Sequence, residues 1–207
     1  AWVSDNGDFV FTTDEQSDAY IGSYDISDLN NIQEVDRIQS NPGSNSIPHN
    51  THVDGNFIIT SYYRDGTVIH DITNPNNLIE VAHYDSSPLS GDGFQGCWGT
   101  YPFLPSGNII SSDIDYGSIT KGRLLVYSRD FLQACYLEGN VSDISNSLPI
   151  TNATIEIINP NLTIQTNSDL AGNYMSGIAN SSSYDIIFSA PGYLSDTINA
   201  SFTNGNT

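Results

Sequence analysis

Basic residues are almost absent from this chain: its 207 residues include five Lys plus Arg against 24 Asp plus Glu, a formal net charge of -19. Such a surface repels phosphate backbones and anionic headgroups, which engage proteins through Lys and Arg, so nucleic acid and acidic membrane surfaces are excluded as partners. Long apolar runs are missing too. None approaches the roughly 18 residues that a membrane-spanning helix needs. The chain opens on AWVSDNGDFVF with no initiator Met and no signal peptide, and reads as a mature or truncated piece of something longer. No Gly-x-Ser-x-Gly elbow and no His-Glu-x-x-His motif is present, so the sequence offers no support for a serine hydrolase or a zinc peptidase. Cysteine is scarce. Cys97 and Cys135 stand either as one disulfide, which an oxidising compartment permits, or as two buried free thiols.

What the chain does hold is Asn, Ser, Thr, β-branched residues and 11% aromatics, a composition for strands rather than for disorder. It also repeats itself. YDISDLNNIQEV (24–35) matches HDITNPNNLIEV (70–81), with Asp25 and Asp71 lying 46 residues apart. The preceding strands repeat as GDFVFTT (7–13), GNFIITS (55–61) and GNIISSD (107–113), and GTVIHDI (66–72) has a third copy in GRLLVYS (122–128). Gly, Asn, Asp and Pro punctuate each unit into short strands and turns, and no helical periodicity competes. Short strands recurring every 40–50 residues predict β-propeller blades. Residues 1–134 hold about three such blades, fewer than closed propellers carry, so the remaining blades are expected upstream of Ala1.

Composition changes at Cys135. From there to residue 207 no His, Lys, Arg or Trp occurs, and apolar residues alternate, as in Ile155 and Ile157 or Tyr184, Ile186 and Phe188. Turn signals about every ten residues fit a small β-sandwich over 135–207. The predicted fold class is therefore all-β: a partial propeller followed by a sandwich.

Two resemblances sit on these residues. YDISDLNN, HDITNPNN, PHNTHVDGNFIITSYYRDG and FQGCWGTYPFLPSGNIISSDIDYG (94–117) resemble the propeller of the choice-of-anchor B family, with its LVIVD-type repeats, over roughly residues 1–130. Gly139, Val141, PITNATIEI (149–157), TNSDLAGNY (166–174) and APGY (190–193) resemble the carboxypeptidase regulatory-like domain, a seven-stranded transthyretin-like sandwich. The first resemblance implies export and attachment at a cell surface. The second implies an accessory module without catalysis. Together they look like surface proteins of the Bacteroidetes type.

Candidate chemistry is sparse. His49 and His52 lie three apart, and on a strand that spacing sends them to opposite faces. Acidic residues recur at equivalent places of the repeats, Asp14 and Glu15 in the first and Asp113 and Asp115 in the third, and His49 is expected to join Glu15 and Asp113 where blades converge on an axis; oxygen ligands there would suit Ca²⁺, and the histidine would favour a transition metal. The alternative is that these groups satisfy loop amides. Trp98 and Tyr101 in GCWGTYPF are either a sugar-stacking or protein-contact platform or wedges between blades, and Tyr62 and Tyr63 occupy the acidic column's place in the middle repeat. Cys97 and His52 would form a nucleophile–base pair only if the fold joined them. Asp25 and Asp71 are expected to cap turns. The leading expectation is a non-catalytic binding or structural module acting in adhesion, surface assembly or fibre formation, with protein chains, further copies of itself or surface glycans as partners. A propeller enzyme with an axial site, a carbohydrate-binding protein and an accessory to a larger hydrolase are the alternatives.

Overall fold

The computed structural model describes residues 1–114, 121–160 and 163–207. Asp115 lies outside them. The described residues form seventeen strands and no helix, so no helix is long and apolar enough to cross a membrane. The strands build several antiparallel sheets, none closed into a barrel. The chain divides into two compact units, Ala1–Phe131 and Leu132–Thr207. The division falls three residues ahead of the expected boundary because Gln133 and Ala134 bond within the second unit, through their carbonyls to Asn204 and Gly205.

The first unit is three meanders. β1 (Trp2–Val3), β2 (Phe9–Thr13), β3 (Ile21–Asp25) and β4 (Gln33–Ile38) pair in chain order. β5 (Asn50–Asp54), β6 (Phe57–Tyr62), β7 (Gly66–Asp71) and β8 (Ile79–Tyr84) repeat that arrangement. β9 (Gly96–Tyr101), β10 (Ile109–Ile114) and β11 (Arg123–Tyr127) make a third, three-stranded sheet.

The repeat seen in the sequence is a repeat of turns. Gly7, Gly55 and Gly107 all sit at positive φ (81°, 60° and 78°), which glycine adopts without steric cost. Asp25 Oδ1 accepts the Ser27 amide at 2.9 Å, and Asp71 Oδ1 accepts that of Thr73 at 2.7 Å, so each caps the turn after its strand. The likeness extends to irregularities. A bulge interrupts the pairing between Ser23 and Tyr24, and another falls at the matching residues Ile69 and His70.

The middle sheet is buried on both faces. Phe11 and Ile21 of the first sheet meet Ile58, Tyr62 and Val68 of the second in one core. Ile59 and Ile69 point the other way and meet Ile109 of the third. Burying each such side chain stabilises the fold by about 1.5–3 kcal/mol.

The second unit has two sheets around one core. β12 (Cys135–Asn140) pairs with β15 (Asn173–Ile178). β14 (Thr163–Asn167), β13 (Thr154–Ile158), β16 (Ser183–Ser189) and β17 (Asp196–Ser201) form the other sheet in that order. The expected alternation holds: Ile155, Ile157, Tyr184 and Ile186 enter a core shared with Cys135, Tyr174 and Ile178. Six strands are described where seven were expected; beyond them there is a single bridge between Ser142 and Pro149.

Both cysteines are free and fully buried, Cys97 on β9 of the first unit and Cys135 in the core of the second. The disulfide alternative is therefore corrected. Burial pushes the Cys97 thiol up to about 11, and burial raises Cys135 as well.

Candidate functional site

The site grows from the turn after β6. Tyr63 takes a positive φ of 30°, uncommon for a residue with a side chain. Its carbonyl accepts the amides of Cys97 at 2.8 Å and Gly66 at 3.1 Å, which pins the turn to β9. Gly96 makes that approach feasible: at φ 95°, a Cβ there would stand 2.3 Å from the Tyr63 oxygen. The turn aims the Tyr63 ring away from the core that Tyr62 fills.

Three other segments converge on this ring. The loop after β2 brings Glu15. The stretch before β5 brings His49, whose carbonyl accepts the Thr13 hydroxyl at 2.6 Å and whose amide donates to Ser61 at 2.9 Å. The start of β9 brings Trp98, and the loop before it Phe94. The Tyr63 hydroxyl donates to Glu15 Oε1 at 2.8 Å and lies 3.2 Å from His49 Nδ1. His49 Nδ1 also contacts Glu15 Oε1 directly. The rings continue the chain: His49 lies against Tyr63 at 5.1 Å and stacks on Trp98 at 6.0 Å, and Phe94 meets Tyr63 edge-on at 5.3 Å.

The electrostatics follow from these contacts. The Tyr63 hydroxyl, and then His49, hold the Glu15 carboxyl below its usual value although burial acts against them. Burial, and then the Glu15 carboxylate, raise the Tyr63 phenol, which therefore stays protonated and donating. The tyrosine is buried, whereas Trp98 and Phe94 remain 54% and 52% exposed. The carboxylate of Glu15 is itself 46% exposed and the His49 ring 17% exposed, so the Tyr63–Glu15–His49 group and its aromatic flanks are open to a ligand that hydrogen-bonds and stacks together.

The predicted residues divide around this centre. Glu15, His49, Tyr63 and Trp98 come together. Asp113 does not: its carboxylate is held by Arg123 at 2.7 Å and by the Ser86 hydroxyl at 2.8 Å. The three-residue metal cluster is thus corrected, and among the described residues no group of three or more His, Cys, Asp or Glu is placed to hold a metal ion. Tyr62 is corrected from surface to core; it is 1% exposed and its hydroxyl donates to the Ala19 carbonyl. Tyr101 is exposed but belongs to another cluster, against Phe103, with Trp2 and His52 beyond. The two histidines of the His-x-x-His spacing therefore part, as strand alternation requires. Cys97 hydrogen-bonds in the direction of Thr67, and His52 packs on Trp2, so no nucleophile–base pair forms.

Sequence reasoning did not single out Phe94, although it opens the 94–117 stretch, nor a buried group in the first unit. His70 is fully enclosed with both ring nitrogens unpartnered, and burial drops it to about 3. Glu80 lies 3.9 Å from it and 3.6 Å from His83; burial pushes Glu80 up to about 7, with His83 acting against the rise. His70 stands where Tyr24 stands in the first repeat, so the alignment of YDIS with HDIT was the available signal, and the structure adds a bulge at both places.

In the second unit, a cavity of about 450 Å³ is lined by Val141, Asp143, Phe188 and Tyr193 among others. Its rim carries the fully exposed Ile144 and the nearly fully exposed Leu194. Asp143 binds the Ser145 amide and hydroxyl and so caps its turn.

Comparison of the chain with family models, with curated proteins and with solved structures returns no match.

Proposed function

We propose that this chain is a non-catalytic binding module of an exported, cell-surface protein, acting in adhesion or surface assembly. In this reading the three meander sheets are successive blades of a β-propeller of the choice-of-anchor B type. The second unit is a transthyretin-like accessory sandwich of the carboxypeptidase regulatory-like kind. The 46-residue repeat, with its shared turns and bulges, supports the blade reading. Sheet pairing around one alternating core supports the sandwich.

The observation that carries the function is the two groups of large aromatic side chains left exposed along β9 and its flanks, Phe94 and Trp98 beside Tyr63 and His49, and Tyr101 beside Phe103. Phe94, Trp98, Tyr101 and Phe103 are 38–54% exposed within ten residues. Clustered exposed apolar groups on a soluble surface mark contact sites. In a propeller, β1, β5 and β9 would be the inner strands, so β9 and the aromatic groups it carries would lie beside the axis.

The test is saturable binding of the purified chain to immobilised envelope preparations, read by surface plasmon resonance. The wild-type chain is expected to bind, and the Phe94→Ala/Trp98→Ala double variant, with its far-ultraviolet circular dichroism unchanged, is expected to lose most of the signal. Equal binding by both would remove this surface from the account. The contact of Glu15 with His49 favours one second reading, a propeller enzyme using that histidine as a general base. Release of reducing ends or new amines from a bound polymer would establish it.

A further inference from the structure

Two of the three sheets in the first unit have a fourth strand, and the third does not. β4 pairs with the outer side of β3, and β8 with that of β7. β11 aligns with β7 in the repeat, GRLLVYS against GTVIHDI, yet it pairs with β10 alone. No strand lies on its other side among the described residues, so its outer backbone groups form an unpaired edge.

That edge carries no guard. Charged side chains, proline and bulges are what keep sheet edges from pairing with other chains. β4 holds Glu34, Asp36 and Arg37, and β8 holds Glu80. β11 reads Arg-Leu-Leu-Val-Tyr and pairs with β10 without a bulge. Its one charge sits at its end, where Arg123 is bound to Asp113. Tyr127 packs towards Ile59, Ile69 and Ile109, so strand alternation sends Leu124 and Val126 to the opposite face, where they are 70% and 60% exposed. The matching residues of the middle repeat, Val68 and His70, are both 0% exposed.

We propose that β11 pairs antiparallel with β11 of a second copy of this chain, joining two three-stranded sheets into one of six strands across a two-fold axis at Leu125. Full overlap of the two strands sets each Leu124 opposite the other copy's Val126 and keeps Arg123 at the ends. The proposal deepens the surface-assembly reading by naming its partner, and it rests on that part of the reading alone. Two observations select a second copy. The strand is self-complementary, since the same apolar pair recurs on both sides of the axis, as an isologous contact requires. Charge agrees. Residues 121–131 hold Lys121, Arg123 and Arg129 against Asp130, whereas the rest of the chain holds two basic residues and 23 acidic ones. β11 is thus where two copies of a chain of net charge -19 can meet without acid facing acid. A basic strand would meet like charge at this edge, and an acidic one would be repelled by the rest of the chain.

Sedimentation velocity of the full chain over a concentration series is expected to show a reversible monomer–dimer equilibrium. Leu124→Lys/Val126→Lys changes two exposed positions and sets like charges opposite one another. With its circular dichroism unchanged, it is expected to weaken the dimer about tenfold or more. Cross-linking tests the register. Opposed residues of an antiparallel pair lie about 4.5–5.5 Å apart at Cα, within disulfide reach, whereas diagonal neighbours lie about 7–8 Å apart and outside it. Under mild oxidation, a mixture of Leu124→Cys and Val126→Cys chains is therefore expected to cross-link faster than either alone; the native thiols are buried and do not compete. A chain that stays monomeric, a dimer indifferent to the lysines, assembly beyond the dimer, or cross-linking no faster in the mixture overturns the proposal. Phe94→Ala/Trp98→Ala should dimerise like the wild type. Envelope binding without a dimer fells the β11 contact alone, and a dimer without envelope binding fells the envelope reading alone.

Discussion

The two units use the same alternation of apolar and polar residues to different ends. The second keeps its core uniform: Ile155, Ile157, Tyr184 and Ile186 meet Tyr174 and Ile178 without a charged group among them. From Leu132 on it contains no His, Lys, Arg or Trp. The first unit holds all four histidines, all five basic residues and both tryptophans, and it admits polar groups to its interior. His70 is fully enclosed, Asp65 is 5% exposed, and Tyr63 ends a strand in a left-handed conformation. Buried polar groups and backbone strain are costly, and they persist where the surrounding structure over-determines them, commonly at functional positions. Buried titratable groups are thus concentrated in the first unit, whereas left-handed non-glycine residues occur in both, with Ser147 and Asn152 in the second.

Each unit holds one buried thiol, which gives a separate reporter of its opening. Ile58→Ala in the first unit and Ile186→Ala in the second remove side chains that are 0% exposed, and each is expected to cost about 2–5 kcal/mol. Timed labelling of native protein with a thiol reagent should show Cys97 exposed faster by the first substitution and Cys135 by the second. If either substitution accelerates both thiols equally, the units do not open separately.

A pH titration should separate the units next. Burial raises the carboxyls of Glu80, Asp65 and Asp36 in the first unit, so their folded forms hold protons more tightly than the unfolded chain does. Their contribution is fully present below the ordinary carboxylate range and is lost as pH rises, for Glu80 through about 7. Asp143 of the second unit is lowered by its bonds to Ser145, so its contribution is present above the ordinary aspartate value and lost on acidification below it. The raised carboxyls of the first unit therefore favour a rise in stability between pH 8 and pH 5 on the order of 1–3 kcal/mol. His70, dropped to about 3 by burial, opposes it, because its imidazole takes up a proton on unfolding as pH falls through 6.5. Denaturant midpoints reported by Cys97 in wild type and in Glu80→Gln isolate the carboxyl share by difference. Glu80→Gln should flatten that rise, and a slope unchanged in the variant would show that Glu80 is not its source.

Glycine substitutions come next in size. Gly96→Ala forces a Cβ against the Tyr63 carbonyl, and a loss of about 1–3 kcal/mol is expected. Gly107→Ala, also at positive φ but with nothing within 4 Å, should lose only about 1 kcal/mol. Thermal melts of the two variants make the comparison. Smallest of all, Arg37→Ala removes an exposed ion pair with Glu34 at 2.7 Å and should shift stability by about 0–1 kcal/mol.

Much of the fold was legible because its signals are local. A Gly that heads a strand and an Asp that caps the turn behind it act over two or three residues, so they repeat visibly. The site was legible only in part, because it depends on how strands from different sheets meet. Glu15 and His49 do meet, in direct contact with each other. Asp113 was drawn in because it ends the third repeat strand near the place that Glu15 takes after the first, but the third sheet is irregular there, with a bulge between Ser112 and Asp113. Its partner Arg123 stands directly across from it on β11. Tyr62 and Tyr63 are adjacent and identical in type; a turn one residue long sends one to the core and the other to the site. The two cysteines invited pairing by their number alone, and each is instead packed within its own unit.

The most direct test of where the function lies is a hydrogen-exchange footprint of the full chain on the envelope preparation it binds. The account predicts protection of the segment before β5 that carries His49 and of residues 94–101, with little change in residues 142–149 and 190–195. Protection confined to those loops of the second unit, around Ile144 and Leu194, would contradict it.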